Sequence, residues 1–378
     1  MDALKEFKYD EVLEAEDICN LEKEKKRLYQ GIYKGEKLVV YGRRNTGKTS
    51  LVRNVIILEY RRKFPNAFIL FCDLMGVKDL EAIESRLRAS FEEAYMAALP
   101  ARAWMENAAR FLKGLRPSFS ADSLTGEPSF TLELGRAGHQ QSLQNIFSTL
   151  RKSISPRVPL LIVLDEFQDV SLIPEAEGIL RNELQQFNKT PMIMMGSKKH
   201  LLAKMFSRPR APFADFGSDI EFHDIPYDEY HEYIVERFKP GKLKISPEVT
   251  QIWQDLLFRS PESINIVGAR ILADNNDTQI TEDIVRHAIV KVIEDRKSRL
   301  EELLASLNAT EEEILITIAR CSPVPKPTAK EFLRLVRPSH ATVMKAVRKM
   351  EDHSFIEKTQ LGYRLCNPLL HYYLLRSR

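Results

Sequence analysis

Short apolar segments alternate with amphipathic ones over the first 226 residues of the chain. Apolar runs predict strands at 37–41, 67–74, 159–166 and 191–197, with a shorter fifth strand at 219–225. Apolar positions at helical spacing predict helices at 11–34, from about residue 48, at 79–114, 140–153 and 175–187. Strands this apolar, alternating with helices, predict an α/β fold with a five-stranded parallel sheet covered on both faces.

The alternation is interrupted between residues 115 and 138. There, the segments SFSAD and SFTLEL flank the turn-rich sequence LTGEP. Two β-prone runs around such a turn predict a β-hairpin. The hairpin is expected to be an insertion, because it stands between two predicted helices.

From Tyr227 the strand signals stop and helical patterns follow. Helices are predicted at 227–238, 246–258, 262–273 and 281–304, with Ser246 and Pro247 as the cap and first turn of the second. This part of the chain is therefore expected to be all-helical.

The last seventy residues have a third kind of pattern. Two capping boxes, Thr310 to Glu313 and Thr328 to Glu331, predict the starts of two short helices. Ser339 is the predicted cap of a third helix that runs to about residue 352, and the segment 355–365 predicts a hairpin. Three short helices followed by a β-hairpin are the outline of a winged helix.

Composition indicates the general class of protein and the cellular compartment that we expect. A chain of 378 residues with 44% hydrophobic and 29% charged residues is ordinary for a globular protein of two or three domains. No apolar run approaches the roughly 20 residues of a membrane span. The four cysteines lie far apart with no CxxC pair, which disfavours a zinc site or a disulfide framework. We expect a cytoplasmic protein without a membrane partner.

Charge is unevenly divided along the chain. Residues 311–378 contain twelve Lys or Arg against seven Asp or Glu, a balance of +5. Since the whole chain carries +3, residues 1–310 carry −2. The basic end is a weak indication of an acidic partner.

The segment YGRRNTGKTS at 41–50 contains the full phosphate-loop pattern Gly-x4-Gly-Lys-Thr, between a predicted strand and a predicted helix. Glycines let backbone N–H groups curl around a phosphate, and the helix N-terminus adds its positive end. Lys48 is expected to reach the β- and γ-phosphates, and the Thr49 hydroxyl to bind Mg²⁺. The predicted nucleotide-binding residues are Gly42, Arg43, Arg44, Asn45, Thr46, Gly47, Lys48, Thr49 and Ser50.

Two adjacent carboxylates end the apolar run LLIVLDE at 160–166. Asp165 is expected at the carboxyl end of a buried strand, where open α/β sheets bind ligands. There it would hold Mg²⁺ through water, while Glu166 would orient or deprotonate the attacking water. This pair is typical of the ASCE division of P-loop proteins, which hydrolyse ATP. The alternative is an ordinary loop that happens to carry two carboxylates.

ATP is favoured over GTP because the chain lacks the motif with which P-loop proteins recognise guanine. Guanine-specific P-loop proteins use an NKxD sequence, whereas here Asn188 and Lys189 are followed by Thr190 and Pro191. The carboxylate that would recognise guanine is absent from that position. ATP with Mg²⁺ is the predicted ligand pair.

The residues quoted above resemble a known family, the archaeal-type ATPases within the STAND/AAA+-like P-loop proteins, which are relatives of origin-recognition initiators. LEKEKKRL, YGRRNTGKTSL, LLIVLDEFQDV and IMMGSKKHLLAKMF followed by APF carry the resemblance. It implies an AAA+-like ATPase core at 1–226 with the hairpin insertion at 115–138. A helical lid at 227–306 and a winged-helix domain at 307–378 would follow.

The resemblance also implies roles for residues outside the two motifs. Ser197 falls where the family has a polar sensor of the γ-phosphate, the alternative being a plain helix cap. It would join Lys48, Asp165 and Glu166 as a catalytic residue.

The family's arginines are missing from their usual places. After Ala-Pro the family often has an arginine that acts across subunits, whereas this chain has Phe213; Arg208 and Arg210, just upstream, are candidates for that role. The lid's usual Gly-x-Pro is replaced by Arg-Ser-Pro, so that Arg259 is either a sensor or a helix cap. Slow turnover is expected, because an arginine on the γ-phosphate can be worth roughly 10³–10⁵ in rate.

In a winged helix that binds DNA, the third helix enters the major groove and the wing lies along phosphates. Val343, Ala346, Val347 and Met350 are expected to face the core. The exposed cations that would contact DNA are His340, Lys345, Arg348 and Lys349 on the helix and Lys358 and Arg364 on the wing. The alternative partner of this surface is a protein, and a homo-oligomer also remains open.

Two functions are consistent with these predictions. The first is an ATP-dependent molecular switch that repositions the winged helix on DNA or on a protein partner. The second is a regulatory scaffold, bound to DNA or protein, whose phosphate loop holds ATP for structure with negligible turnover.

Overall fold

The computed structural model describes residues 6–19, 21–98, 116–121, 128–133, 138–153, 158–274 and 278–377. The chain divides into two compact units. One is Leu13–His223, and the other combines the N-terminal segment up to Val12 with Asp224–Arg378. In the described ranges, no helix combines the length and the apolar character that crossing a membrane requires.

The unit Leu13–His223 is built on a five-stranded sheet. Its strands are β1 Lys37–Gly42, β2 Phe68–Asp73, β5 Leu160–Asp165, β6 Met192–Gly196 and β7 Ser218–Phe222. They follow the order β2-β5-β6-β1-β7, and every neighbouring pair is parallel. Two further strands, β3 Arg116–Ala121 and β4 Pro128–Glu133, form a separate antiparallel hairpin. The predicted parallel sheet and hairpin are confirmed; the hairpin turn lies outside the described residues.

Both faces of the sheet are buried, as the apolar strands require. Every residue of β5 and β6 is buried. Alternate residues of β5 belong to different cores: Ile162 and Leu164 to one, Leu161 and Val163 to the other. A strand covered on both sides cannot alternate with polar residues, which is why its sequence is continuously apolar.

Helices cover the two faces of this sheet. Their bounds are Glu22–Lys34, a continuous helix over 48–63 with a π-helical turn at Val52–Ile56, Leu80–Ala98, His139–Ser153, Ala176–Leu184 and Lys199–Phe206. A 3₁₀ helix, Phe167–Leu172, follows β5. The helix predicted at 79–114 is described only as far as Ala98.

The helix predicted over 11–34 begins later than expected. It starts at Glu22, preceded by a single 3₁₀ turn at Ala15–Asp17. Tertiary contacts hold the earlier residues out of a helix, because the Leu13 N–H donates to Ser50 Oγ (3.0 Å) and Asn54 Nδ2 donates to the Leu13 carbonyl (2.8 Å). The sequence prediction was therefore wrong for this segment.

The other unit begins with a helical part. Its helices are Tyr227–Phe238, Pro247–Leu256, Pro261–Asp274, Glu282–Asp295 and Lys297–Ala305, with a small parallel pair of strands, β8 Lys244–Ile245 and β9 Gln279–Ile280. Ser246 caps the second helix as predicted, accepting from the Val249 N–H. The helix predicted over 281–304 is broken at Arg296, whose guanidinium bonds Asp10 Oδ2 (3.1 Å) and lies over the Tyr9 ring.

The last segment is the predicted three-helix module with a hairpin. Its elements are Ala309–Cys321, Lys330–Leu333, His340–Asp352, the antiparallel pair β10 Ile356–Lys358 and β11 Tyr363–Leu365, and a final helix Pro368–Ser377. Ser339 caps the third helix, and Val343, Ala346, Val347 and Met350 are buried, as expected.

Both predicted capping boxes are wrong in detail. The first helix is capped by Asn308, whose Oδ1 accepts from the Glu311 N–H (2.9 Å), and Glu311 Oε2 accepts in return from the Asn308 N–H (3.2 Å). Thr310 therefore lies inside the first turn. Glu313 instead accepts from the backbone of Arg337 (2.8 Å). The helix at Lys330–Leu333 starts after Ala329 without a side-chain cap, so Thr328 does not cap it.

Candidate nucleotide site

The loop between β1 and the helix at 48–63 is curled by its backbone. Gly47 (φ 82°) and Asn45 (φ 60°) both adopt the left-handed conformation, and such turns point successive N–H groups into a concavity that suits an anion. Gly42 is required for packing, because a Cβ there would lie 2.7 Å from the Cβ of Phe222. The nine predicted nucleotide-binding residues, 42–50, all lie in this loop and the first helical turn.

Lys48 is buried and folded across this loop. Its Nζ donates to the carbonyls of Gly42 (3.0 Å) and Arg43 (2.7 Å) and contacts Thr46 Oγ1 at 3.3 Å. Burial lowers the pKa of Lys48 to about 8, against the opposite pull of Glu166 and Asp165. The carbonyl and hydroxyl oxygens that accept from this ammonium carry only partial negative charge. A bound phosphate would provide a full counter-charge.

An acidic group faces the loop from the end of β5. Asp165 Oδ2 accepts from Thr49 Oγ1 (2.7 Å), and its Oδ1 accepts from the Glu166 N–H (2.9 Å). Burial raises the pKa of Asp165, and the nearby charge of Glu166 raises it further. A hydroxyl and a carboxylate held together are the hard oxygen ligands that Mg²⁺ prefers, so Thr49 and Asp165 fit this ion.

Glu166 is held in an unusual conformation beside this pair. Its φ is 48°, in the left-handed region that non-glycine residues seldom adopt. Its carboxylate Oε2 accepts from Ser197 Oγ (3.1 Å) and from Gln168 Nε2 (2.5 Å). The structure therefore brings Ser197 to Glu166. The helix after Ser197 begins at Lys199 without a side-chain cap, so Ser197 does not cap that helix, and the sensor role stays a prediction.

Sequence reasoning missed a second layer of polar residues behind Glu166. Gln168 is fully buried, and Asp169 forms an ion pair with Lys198 (3.0 Å). Asp169 also accepts from the Gly76 N–H (2.8 Å), which ties it to the loop after β2. Their signal was the polar pair Gln-Asp shortly after an apolar strand, but the partners of Asp169, Gly76 and Lys198, follow two other strands, β2 and β6.

The arginine candidates lie in different places. Arg208 and Arg210 are exposed in the loop after the helix Lys199–Phe206. Arg259, in the other unit, donates to the Ile225 carbonyl, lies 3.9 Å from Asp224 and covers the Tyr227 ring at 4.2 Å. Its φ of 56° lies in the left-handed region that favours glycine.

The winged-helix cations divide into two groups. His340, Lys345 and Arg348 are exposed on the third helix. Lys345 and Arg348 line an open depression of about 450 Å³ together with Ala341, Met344, Lys349, Asp352 and His353. Lys358 is exposed on the wing.

The second group has partners inside the protein. Lys349 bonds the buried Glu311 (2.8 Å). Arg364, expected to be exposed, is instead only 23% exposed, paired with Glu357 (2.8 Å) and stacked on Phe258 (4.9 Å).

Comparisons with known proteins agree with this architecture. A family model described as "Probable winged helix domain" matches residues 298–376. A Walker-type ATPase of Pyrococcus abyssi superimposes with a TM-score of 0.64 at 16% identity, over 98% of this chain and 99% of that one. The chain has a P-loop NTPase fold with a C-terminal winged helix.

Two further structures share this P-loop and winged-helix architecture. The ORC1 protein of Aeropyrum pernix in complex with DNA has a TM-score of 0.54 at 13% identity, over 99% of this chain and 96% of that one. The ORC2 protein of the same organism, in ADPNP–ADP complexes, has a TM-score of 0.54 at 15% identity, over 94% and 90%. No curated protein sequence matches the chain significantly.

Proposed function

We propose that this protein is an ATP-binding molecular switch of the STAND/AAA+-like kind, which hydrolyses ATP slowly and couples its nucleotide state to a winged helix on DNA. The observation that carries the proposal is the Thr49–Asp165 hydrogen bond of 2.7 Å beside the buried Lys48. It joins the two halves of a phosphate and metal site that lie more than a hundred residues apart.

Each residue has a role in this proposal. The backbone amides of 42–49 hold the β-phosphate and Lys48 neutralises the β- and γ-phosphates. Thr49 and Asp165 would hold Mg²⁺, which when bound would supply charge stabilisation on the transferred phosphoryl group. Glu166 orients and deprotonates the attacking water, and Ser197 responds to the γ-phosphate. The ADPNP–ADP complexes of the ORC2 protein support an adenine nucleotide here.

DNA is the partner that we propose for the winged helix. The ORC1 protein to which this chain is similar was solved in complex with DNA. His340, Lys345 and Arg348 are exposed on the third helix, and Lys358 on the wing extends the surface. Lys349 and Arg364 contribute less, since each is already held by a carboxylate.

We also propose the domain limits given by the sequence: a core at 1–226, a lid at 227–306 and a winged helix at 307–378. A cytoplasmic location suits the four widely spaced cysteines, which include no CxxC pair. A second copy of the chain would be the source of a trans-acting arginine, either Arg208 or Arg210.

Phosphate release from MgATP tests the switch. Wild type should release phosphate slowly in proportion to enzyme, and Glu166→Gln should lower this rate by about 10²-fold or more, because a positioned general base contributes on that scale. Glu166→Gln should still bind ATP. The exposed Glu175→Gln serves as the matched control.

The second candidate function is a protein that binds ATP for structure without turnover. It is favoured by the absence of an arginine after Ala-Pro, where this chain has Phe213. It predicts no phosphate release above the background of Glu166→Gln, together with tight ATP binding. Measurable release that Glu166→Gln abolishes would exclude it.

A further inference from the structure

Gln168 is a buried polar residue that the roles given above leave unused. Its side chain is 0% exposed, in the first turn of the 3₁₀ helix after β5. Its Nε2 donates to Glu166 Oε2 at 2.5 Å and to Asp169 Oδ1 at 3.2 Å. One amide group therefore serves two carboxylates.

The other end of this amide is unsatisfied. Gln168 Oε1 is buried and has no hydrogen-bond partner. It lies against Gly196, where an added Cβ would be only 1.8 Å from it. Burying an unpaired carbonyl is unfavourable, and an apolar side chain of similar shape would avoid that cost. Fold stability alone thus does not account for a glutamine here.

The surroundings hold this amide in one orientation. Asp169 is itself fixed by Lys198 (3.0 Å) and by the Gly76 N–H (2.8 Å). Turning the amide over would point Oε1 at two carboxylates, so Nε2 must face them. The donor to Glu166 is therefore preorganised rather than mobile.

Both donors to Glu166 act on the same oxygen. Ser197 Oγ and Gln168 Nε2 each bond Oε2. A general base needs one oxygen directed at the proton it takes and benefits from a group that fixes its orientation. Holding Oε2 from two sides leaves Oε1 for the substrate water.

We propose that Gln168 is a positioning residue that holds Oε2 of Glu166 and so directs Oε1 at the attacking water. As the water oxygen bonds to the γ-phosphorus, its proton passes to Oε1, and the bond from phosphorus to the β–γ bridging oxygen breaks with its electron pair leaving on ADP. Gln168 changes no bond of its own. The inference rests on the proposed function.

Gln168→Met tests the role, because it keeps the length of the side chain and removes the donor. The expected result is a loss of kcat for MgATP on the order of 10²-fold, the scale on which misplacing a catalytic group acts, with ATP affinity within about twofold of wild type. Gln186→Met, which makes the same chemical change in the exposed turn after the helix Ala176–Leu184, should match wild type.

A double variant separates positioning from general damage. In the Glu166→Gln background, Gln168→Met should cause no further loss of residual turnover, since the group that Gln168 positions is gone.

Gly196→Ala gives a second test of the positioning role if Gln168→Met fails to fold. Its new methyl group would displace the Gln168 amide without altering any donor, so kcat should fall while ATP affinity holds.

Three results would overturn the inference. They are a kcat of Gln168→Met equal to that of Gln186→Met, a joint loss of kcat and ATP affinity in Gln168→Met, and losses of turnover from Gln168→Met and Glu166→Gln that add in the double variant. The proposed function fails separately, and the inference with it, if wild type binds ATP but releases no phosphate.

Discussion

The charge of Lys48 depends on the loop that surrounds it. Two backbone carbonyls and a hydroxyl oxygen hold its ammonium in a buried position. Burial lowers its pKa to about 8, well below the ordinary value of a lysine. Only the protonated form of Lys48 neutralises a phosphate, so its protonation state is expected to control the affinity of the site for ATP.

ATP affinity should therefore fall as pH rises above about 8. Below that pH Lys48 is already protonated in the free protein; above it, binding must take up a proton, which weakens affinity by up to about tenfold per pH unit. Calorimetry in buffers of different ionisation enthalpy should detect that uptake.

Lys48→Arg is the control for this pH dependence, since a guanidinium stays charged throughout the range. Its affinity should be weaker at neutral pH and flat between pH 8 and 10. Proton release on ATP binding to wild type, or the same pH profile in both proteins, would contradict the account.

The residues of the candidate site were predictable to different degrees. Lys48 and Thr49 belong to one contiguous motif, and Asp165 ends a continuously apolar strand, so spacing alone identified them. Gln168 was not predictable, because its contact with Gly196 depends on how β5 and β6 pair.

Among the secondary-structure elements, the strands whose positions follow from burial of continuously apolar sequence were predicted best. The continuously apolar β5 and β6 are fully buried, as their sequences require. Elements set by single local contacts were predicted worst: Thr310 was the predicted cap, but Asn308 and Glu311 form the capping box, in which each side chain accepts from the other residue's backbone N–H. The start of the helix Glu22–Lys34 depends on contacts of Leu13 far along the chain.

The third helix of the winged helix should bind duplex DNA through a subset of its cations. Lys345→Ala should weaken binding and lower the slope of log affinity against log salt by about one, since an exposed lysine releases about one counterion. Lys349→Ala should change the slope less, because its ammonium is bound to Glu311. Fluorescence anisotropy across a salt series measures both.

Equal slopes for the two variants and wild type would show that this helix does not track phosphates. A protein partner would then be the better reading of the surface. The comparison is matched, because both substitutions remove a lysine from the same helix.

At the scale of the whole molecule, the candidate nucleotide site and the winged helix lie in different units. The phosphate loop and the acidic pair belong to Leu13–His223, whereas the helices after Tyr227 and the winged helix belong to the other unit. Within that unit, Tyr373 donates to Glu301 (2.9 Å) and His371 packs on Phe258 (5.1 Å). In the proposed switch, a movement of the lid is therefore passed to the winged helix.

The most direct test of the central claim is calorimetric titration of MgATP into wild type, Lys48→Ala and the exposed control Lys204→Ala. Wild type and Lys204→Ala should bind ATP with equal affinity. Lys48→Ala should bind on the order of 10²-fold more weakly, because it loses charge-assisted contacts to two phosphates. An unchanged affinity in Lys48→Ala would contradict the account.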